Sequence, residues 1–167
     1  MKRFAPIAAL LACLFLAPFA GAQEPAELGP QDLAALEDRF RDVAEKVRPA
    51  TVAILGLIGM GSGVIIDPSG LVLTNAHVAL AAPHAAVVFP DGKKVLARRV
   101  GIYFPRDLAL IQLPEGTYPA VEPAPVDSVK AGDWVVAYGH PGGLKPDARP
   151  TFSAGQVTGT VDFGPVA

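Results

Sequence analysis

Apolar residues recur at spacings of three and four along Leu33, Leu36, Phe40, Val43 and Val47, with polar residues between them. That spacing predicts one amphipathic helix. Gly29 before Pro30, with Asp32 in the first turn, marks its start, and Arg48-Pro49 marks its end, because the residue before a proline is steered away from helical geometry. From Thr51 the period changes. Apolar runs of strand length lie at residues 52–58, 64–66, 71–73, 86–89, 95–100 and 108–113, parted by Gly, Pro, Asp and Asn. Six strands can close a small barrel. Residues 117–125 are rich in Pro and small side chains and read as a linker, after which residues 134–138 and 151–158 open a second β unit. Two strands cannot close a barrel, so the segment after Pro125 is expected either to be mobile or to dock on the first barrel or on another chain.

Composition supports an all-β class. Hydrophobic residues at 51% against 18% charged exclude a disordered chain, and 17 Gly with 17 Pro suit short strands and turns better than a helical bundle. Fourteen Lys and Arg against sixteen Asp and Glu leave no basic excess, so nucleic acid is not an expected partner.

The first 22 residues read as a signal peptide. Met1-Lys2-Arg3 is a positive start, residues 7–17 are apolar, and Ala20-Gly21-Ala22 has the small-x-small form of a cleavage site. The apolar run is bounded by Pro6 and Pro18 and falls short of the roughly 20 residues a bilayer span needs, so no stable membrane insertion is expected after cleavage. The protein is expected to be exported, to a periplasm or the exterior. Loss of Lys2 and Arg3 leaves 12 basic and 16 acidic residues, a net charge of −4. The single cysteine, Cys13, lies in the leader, so the mature chain has no disulfide and must be held by packing.

Candidate chemistry is concentrated in the barrel. The segment GSGVIIDPSGLVLTNAHV, residues 61–78, is a hairpin followed by a short loop holding His77, and RDLALIQL places Asp107 at the mouth of an apolar strand. Taken alone, a His beside a strand is a common structural residue, and an Asp before a strand is a common turn former. Together, and followed by GDWVVAYGHPGGL at residues 132–144 and SAGQVTG at 153–159, these motifs resemble the HtrA/Deg family of trypsin-like serine proteases. The resemblance covers roughly residues 47–159. It implies a trypsin-like double β-barrel with a complete first barrel and an incomplete second one, plus the N-terminal helix. The organisation is then a signal peptide at 1–22, a polar entry and helix at 23–48, a first protease barrel at 49–118, and a linker with a partial second barrel at 119–167.

In such an enzyme a serine hydroxyl attacks the peptide carbonyl, a neutral imidazole takes its proton, and a buried carboxylate fixes the imidazole tautomer and stabilises the imidazolium that forms. The resemblance implies His77 as the base and Asp107 as its orienting acid, within hydrogen-bond reach of each other, with no cofactor. Asp67 is the rival acid, but its Asp-Pro-Ser-Gly setting is explained by a turn. The family's nucleophile lies in a Gly-Asn/Asp-Ser-Gly-Gly turn, which does not occur among these 167 residues, and Ser62, Ser69, Ser128 and Ser153 all stand in other contexts. The chain is therefore expected to be truncated before the nucleophile and inactive alone. The implied partners are polypeptide substrates or unfolded proteins, with a homotrimer possible; the alternative is a noncatalytic peptide-binding or oligomer-modulating pseudoprotease module.

The remaining candidates carry less. His77 and His84 lack an accompanying His-Glu-x-x-His pattern or cysteine cluster, so no metal site is expected, and His140 reads as a loop-capping side chain. The pairs Lys93-Lys94 and Arg98-Arg99 read as a solvated hairpin edge. The helix carrying Phe40 has two readings, packing on its own barrel or contact between subunits.

Overall fold

The computed structural model describes residues 29–142 and 149–159, so the leader at 1–22 lies outside the described residues. Helix α1 (Pro30–Val47) forms on the predicted stripe. The Gly29 N–H donates to Asp32 Oδ2 at 3.0 Å, and Pro30 occupies a first-turn position where no N–H is needed. At the other end Pro49 does not stop the coil. The chain tightens into a single 3-10 turn, Arg48–Ala50, where a proline near the start again loses no hydrogen bond, and the Thr51 hydroxyl donates to Val47 O at 3.0 Å.

Six antiparallel strands follow: β1 (Thr51–Leu55), β2 (Met60–Asp67), β3 (Leu71–Asn75), β4 (His84–Val88), β5 (Lys94–Tyr103) and β6 (Leu108–Gln112). They close into a barrel in the order β1-β2-β3-β6-β5-β4, with β4 returning to β1 through Ala53↔Val88, Ile54↔Val87 and Leu55↔Ala86. Side chains alternate across each strand, and the inward set, including Val52, Ile54, Ile65, Val72, Val87, Ala97, Ala109 and Ile111, forms one core. The first predicted run, 52–58, extends three residues past the end of β1 at Leu55. Gly56 turns the chain, its N–H donating to Gly59 O at 2.8 Å, and leaves Leu57 and Ile58 about three-quarters exposed at the hairpin tip. A side chain at Gly56 would collide with the backbone carbonyl of Val78, so this turn rests against the segment that carries His77.

Closure corrects the reading of one basic pair. β5 is paired to β4 through residues 94–98 and to β6 through residues 98–103, so Arg98 has a strand on each side, whereas Lys94 is paired to β4 alone and stays exposed. The Arg99 guanidinium turns to a specific partner, donating to Ala79 O and Leu80 O at 2.8 Å each. It thereby satisfies carbonyls at the end of the short helix α2 (Ala76–Ala79) that follows β3.

The stretch read as a linker is fastened to the barrel. Tyr118 N–H donates to Pro68 O and Val121 N–H to Ile65 O, while the Tyr118 ring stacks on Phe89 at 5.8 Å and its hydroxyl donates to Pro114 O. Beyond it, β7 (Trp134–Gly139) and β8 (Thr151–Gln156) form a two-stranded antiparallel sheet. Past Gln156 the chain stays bonded to the 132–133 turn, Val157 N–H donating to Asp133 O at 2.9 Å and its carbonyl accepting from Gly132 N–H at 2.7 Å. The sheet is docked. Phe40 of α1 meets Trp134 edge-on at 5.5 Å and Phe152 at 6.1 Å. The helix thus packs Phe40 on the second unit, where Trp134 and Phe152 offer aromatic surface. A second tie joins the two units directly: the His140 N–H donates to Ser62 Oγ of β2 at 2.7 Å.

Candidate active site

His77 is the second residue of α2, and Asp107 lies in the tight connection between β5 and β6. Register brings them together. β3 pairs with β6 so that Asn75 faces Leu108, which sets the residues just after β3 beside the residue just before β6. Asp107 adopts a left-handed conformation, φ 52° and ψ 44°, in which its backbone and side chain both turn toward the 75–77 segment. Such a conformation is uncommon for a residue with a side chain, and Asp is among those that tolerate it best.

The contacts are dense. His77 Nδ1 stands 2.7 Å from Asp107 Oδ2, and the His77 backbone N–H donates to Asp107 Oδ1 at 3.0 Å. Ala76 N–H donates to Asp107 O at 3.0 Å, and Asn75 Nδ2 reaches both Asp107 O at 3.2 Å and Oδ2 at 3.1 Å. A carboxylate accepts but cannot donate, so the bond to Oδ2 requires the proton on Nδ1 when the imidazole is neutral. Nε2 is then left with its lone pair, the state a general base needs.

One feature differs from the sequence reading. The Asp107 side chain keeps 45% of its surface exposed and His77 keeps 68%, whereas the triad logic calls for a buried carboxylate. Water therefore screens the attraction between the two groups. The N–H of His77, more than the desolvation that opposes it or the imidazole itself, holds the Asp107 carboxyl below its ordinary range.

A pH dependence follows from that lowered value. A carboxyl depressed in the folded protein adds stability above its unfolded pKa, and the contribution disappears as pH falls through the folded value. Thermal unfolding followed between pH 7 and pH 2 is expected to show Asp107→Asn less stable than the parent near neutrality. The gap should narrow once the pH drops below the ordinary carboxylate range.

The other candidates are dispersed. Asp67 is in its turn, its Oδ1 accepting from Ser69 N–H at 2.8 Å, and the Ser69 side chain first and this N–H second hold its carboxyl below the ordinary value. Ser62 accepts from His140, Ser128 Oγ donates to Pro125 O at 2.6 Å, and Ser153 lies on β8. Among the described residues no serine hydroxyl is hydrogen-bonded to His77. His84 begins β4 in the open, while His140 is buried at 3% exposure, so it is a packed residue of the second unit as well as a loop former. Among the described residues no group of three or more His, Cys, Asp or Glu is placed to hold a metal.

A sequence profile of the trypsin-like peptidase domain matches residues 61–165, from β2 of the barrel through the second unit. The chain belongs to the trypsin-like peptidase family. Its relatives include a protein of Pseudomonas fulva named probable periplasmic serine endoprotease DegP-like, 32% identical over 124 residues, which are 70% of this chain and 26% of the relative. A protein of the same name from Rickettsia prowazekii is 38% identical over 87 residues, covering 52% of this chain and 17% of the relative. The mitochondrial serine protease HTRA2 of Drosophila willistoni is 33% identical over 102 residues, covering 60% and 23%. The chain thus spans about a quarter or less of the length of these relatives. The closed six-strand barrel, the second small sheet and the N-terminal helix agree with a trypsin-like double barrel whose second half is incomplete among the described residues.

Within this trypsin-like domain a cleft of about 420 Å³ lies between the first barrel and β7, lined by Ser62, Thr74, Val136 and Tyr138 among others and, of the residues beside the His-Asp pair, by Asn75 and Leu108. Asn75 was quoted in the sequence only as part of the His motif. Its contacts with Asp107 give it a place in the site, and the signal in the sequence was its position two residues before His77.

Proposed function

We propose that this polypeptide is part of an exported HtrA-like serine endopeptidase in which His77 is the general base and Asp107 the residue that orients it. The reaction is peptide-bond hydrolysis through an acyl-enzyme. The single observation that carries this reading is the 2.7 Å contact between His77 Nδ1 and Asp107 Oδ2, which leaves Nε2 as the basic nitrogen. In the mechanism, Nε2 takes the proton of a serine hydroxyl as that oxygen attacks the carbonyl, and returns it to the leaving amine. Asp107 keeps the ring from turning over and stabilises the imidazolium between those two transfers.

The nucleophile and the N–H donors of an oxyanion site are not supplied by Ser62, Ser69, Ser128 or Ser153, whose settings are described above. These 167 residues by themselves are accordingly proposed to be inactive. Export is supported by the pattern of residues 1–22 and by relatives named as periplasmic. Polypeptides are the proposed substrates, with the cleft beside Asn75 and Leu108 as their approach to the site.

Casein hydrolysis tests the proposal. The 167-residue chain is expected to give none above buffer. A form of the polypeptide that also carries a Gly-Asp-Ser-Gly-Gly turn is expected to hydrolyse casein and to lose that activity on His77→Ala. Hydrolysis unaffected by His77→Ala would overturn the assignment, and a longer form that binds unfolded polypeptide without cleaving it would favour the noncatalytic module.

A further inference from the structure

Among the described residues, Asn75 and His77 supply the polar contacts of the Asp107 carboxylate. Oδ1 accepts from the His77 backbone; Oδ2 accepts from the Asn75 carboxamide and faces the imidazole. The same carboxamide reaches the Asp107 carbonyl, which Ala76 N–H also approaches. Both atoms that Asn75 contacts are acceptors only, so the NH₂ end of its side chain must face them. One planar group therefore holds Asp107 at its backbone and at its carboxylate. We propose that Asn75 is a positioning residue for the His-Asp pair, fixing the carboxylate so that Oδ2, and not a freely turning edge, is presented to His77 Nδ1.

The inference rests on the reading of His77 and Asp107 as the base and its orienter, and it adds the element that this reading lacks. An exposed carboxylate with only the His77 contacts could turn about Cβ–Cγ or swing into solvent. A second donor on Oδ2, tied also to the main chain of the same residue, opposes both motions. The geometry is selective for asparagine. Alanine removes the donor, aspartate replaces it with a like charge about 3 Å from Oδ2, and glutamine adds a methylene that displaces the carboxamide from both acceptors.

Nuclear magnetic resonance of the labelled protein decides the matter without requiring turnover. The readouts are the ring ¹⁵N signals of His77, identified by their loss in His77→Gln, and the titration of the Asp107 carboxyl carbon. The charged groups on the elements packed against α2 are Lys94, Arg98 and Arg99 of β5 and Arg106 beside Asp107; the Asn75 variants leave all four in place. In the neutral form of its imidazole the parent is expected to hold the Nδ1-protonated tautomer. Asn75→Ala is expected to give mixed tautomers and to raise the Asp107 titration toward the ordinary carboxylate range. Asn75→Asp should raise it further. Asn75→Leu, close in volume and without a donor, carries the same expectation as alanine should the smaller residue loosen the end of β3, and unchanged amide signals from β1 and β4 show that the barrel is intact.

A parent-like tautomer and titration in Asn75→Ala or Asn75→Leu, with an intact barrel, would overturn the proposal. Asp107→Asn separates this from failure of the pair itself. If Asp107→Asn alters the His77 ring signals while the Asn75 variants do not, only the role of Asn75 falls. If Asp107→Asn leaves them untouched, the pair does not form in solution, and the functional reading falls with the inference.

Discussion

His77→Ala is expected to lower kcat/KM for casein by about 10⁴ to 10⁶ in a form of the polypeptide that carries the serine turn, and Asp107→Asn by about 10⁴. The two losses have different origins. Without His77 no group accepts the serine proton, and the hydroxyl is a poor nucleophile near neutral pH. With asparagine at 107 the imidazole remains, but the carboxamide can offer an N–H to Nδ1 and so favours the tautomer whose Nε2 is already protonated. The defect in Asp107→Asn should therefore lie in kcat with little change in KM, since neither side chain is needed to hold the peptide before reaction. A loss confined to KM in either variant would mean that the pair binds substrate without moving its proton.

Ile54→Ala is expected to remove about 2 to 5 kcal/mol from a folding free energy of the usual 5 to 15. Ile54 is fully buried in the barrel core. Its side chain also spreads over Gly63 on β2, where an added Cβ would lie 2.6 Å from Ile54 Cδ1 and 2.7 Å from Val72 Cγ1. The residue opposite Ile54, Gly61, is also a glycine, so neither β2 neighbour has a side chain to move into the space that alanine would vacate, which places the expected cost in the upper part of the range. Urea denaturation followed by far-UV circular dichroism measures it. Tryptophan emission does not suit the purpose, because the one tryptophan, Trp134, lies on β7 of the second unit. A shift in stability below about 1 kcal/mol would show that the barrel collapses around the deletion.

Most of the barrel could be read from the chain because each strand has one buried face and a polar or glycine-containing boundary, and residues such as Val72 and Ile111 point where alternation puts them. Ends were less legible. Whether 52–58 formed one strand depended on Gly56 meeting the Val78 carbonyl, a contact across 22 positions of sequence that no local pattern contains. The fate of the helix had the same character. Its stripe announced an apolar face, but only the docking of β7–β8 supplied Trp134 and Phe152 as its cover. Arg99 looked like surface charge because strand closure and the carbonyls of α2 are both tertiary facts. At the site, the resemblance of the His77 and Asp107 motifs to those of the HtrA/Deg proteases implied a pair, whereas the exposure of the carboxylate and the reach of Asn75 depend on the left-handed turn at Asp107 and the β3–β6 register.

The tie between Ser62 and His140 has a consequence for how this domain tolerates exchange of its parts. Ser62 Oγ receives the His140 N–H while its backbone carbonyl receives the Thr74 hydroxyl at 2.7 Å, so a single residue of β2 touches both the second unit and the strand that leads to His77. The fit around it leaves no tolerance, since a Cβ added at Gly139 would sit 2.5 Å from Ser62 Oγ. A chimaera that joins this barrel to the second unit of another member of the family would have to carry a glycine at the position of Gly139 and a free N–H at that of His140. Pairings that meet this condition should assemble with the His loop undisturbed, and those that do not should seat the graft at a displaced angle, however well its own strands fold.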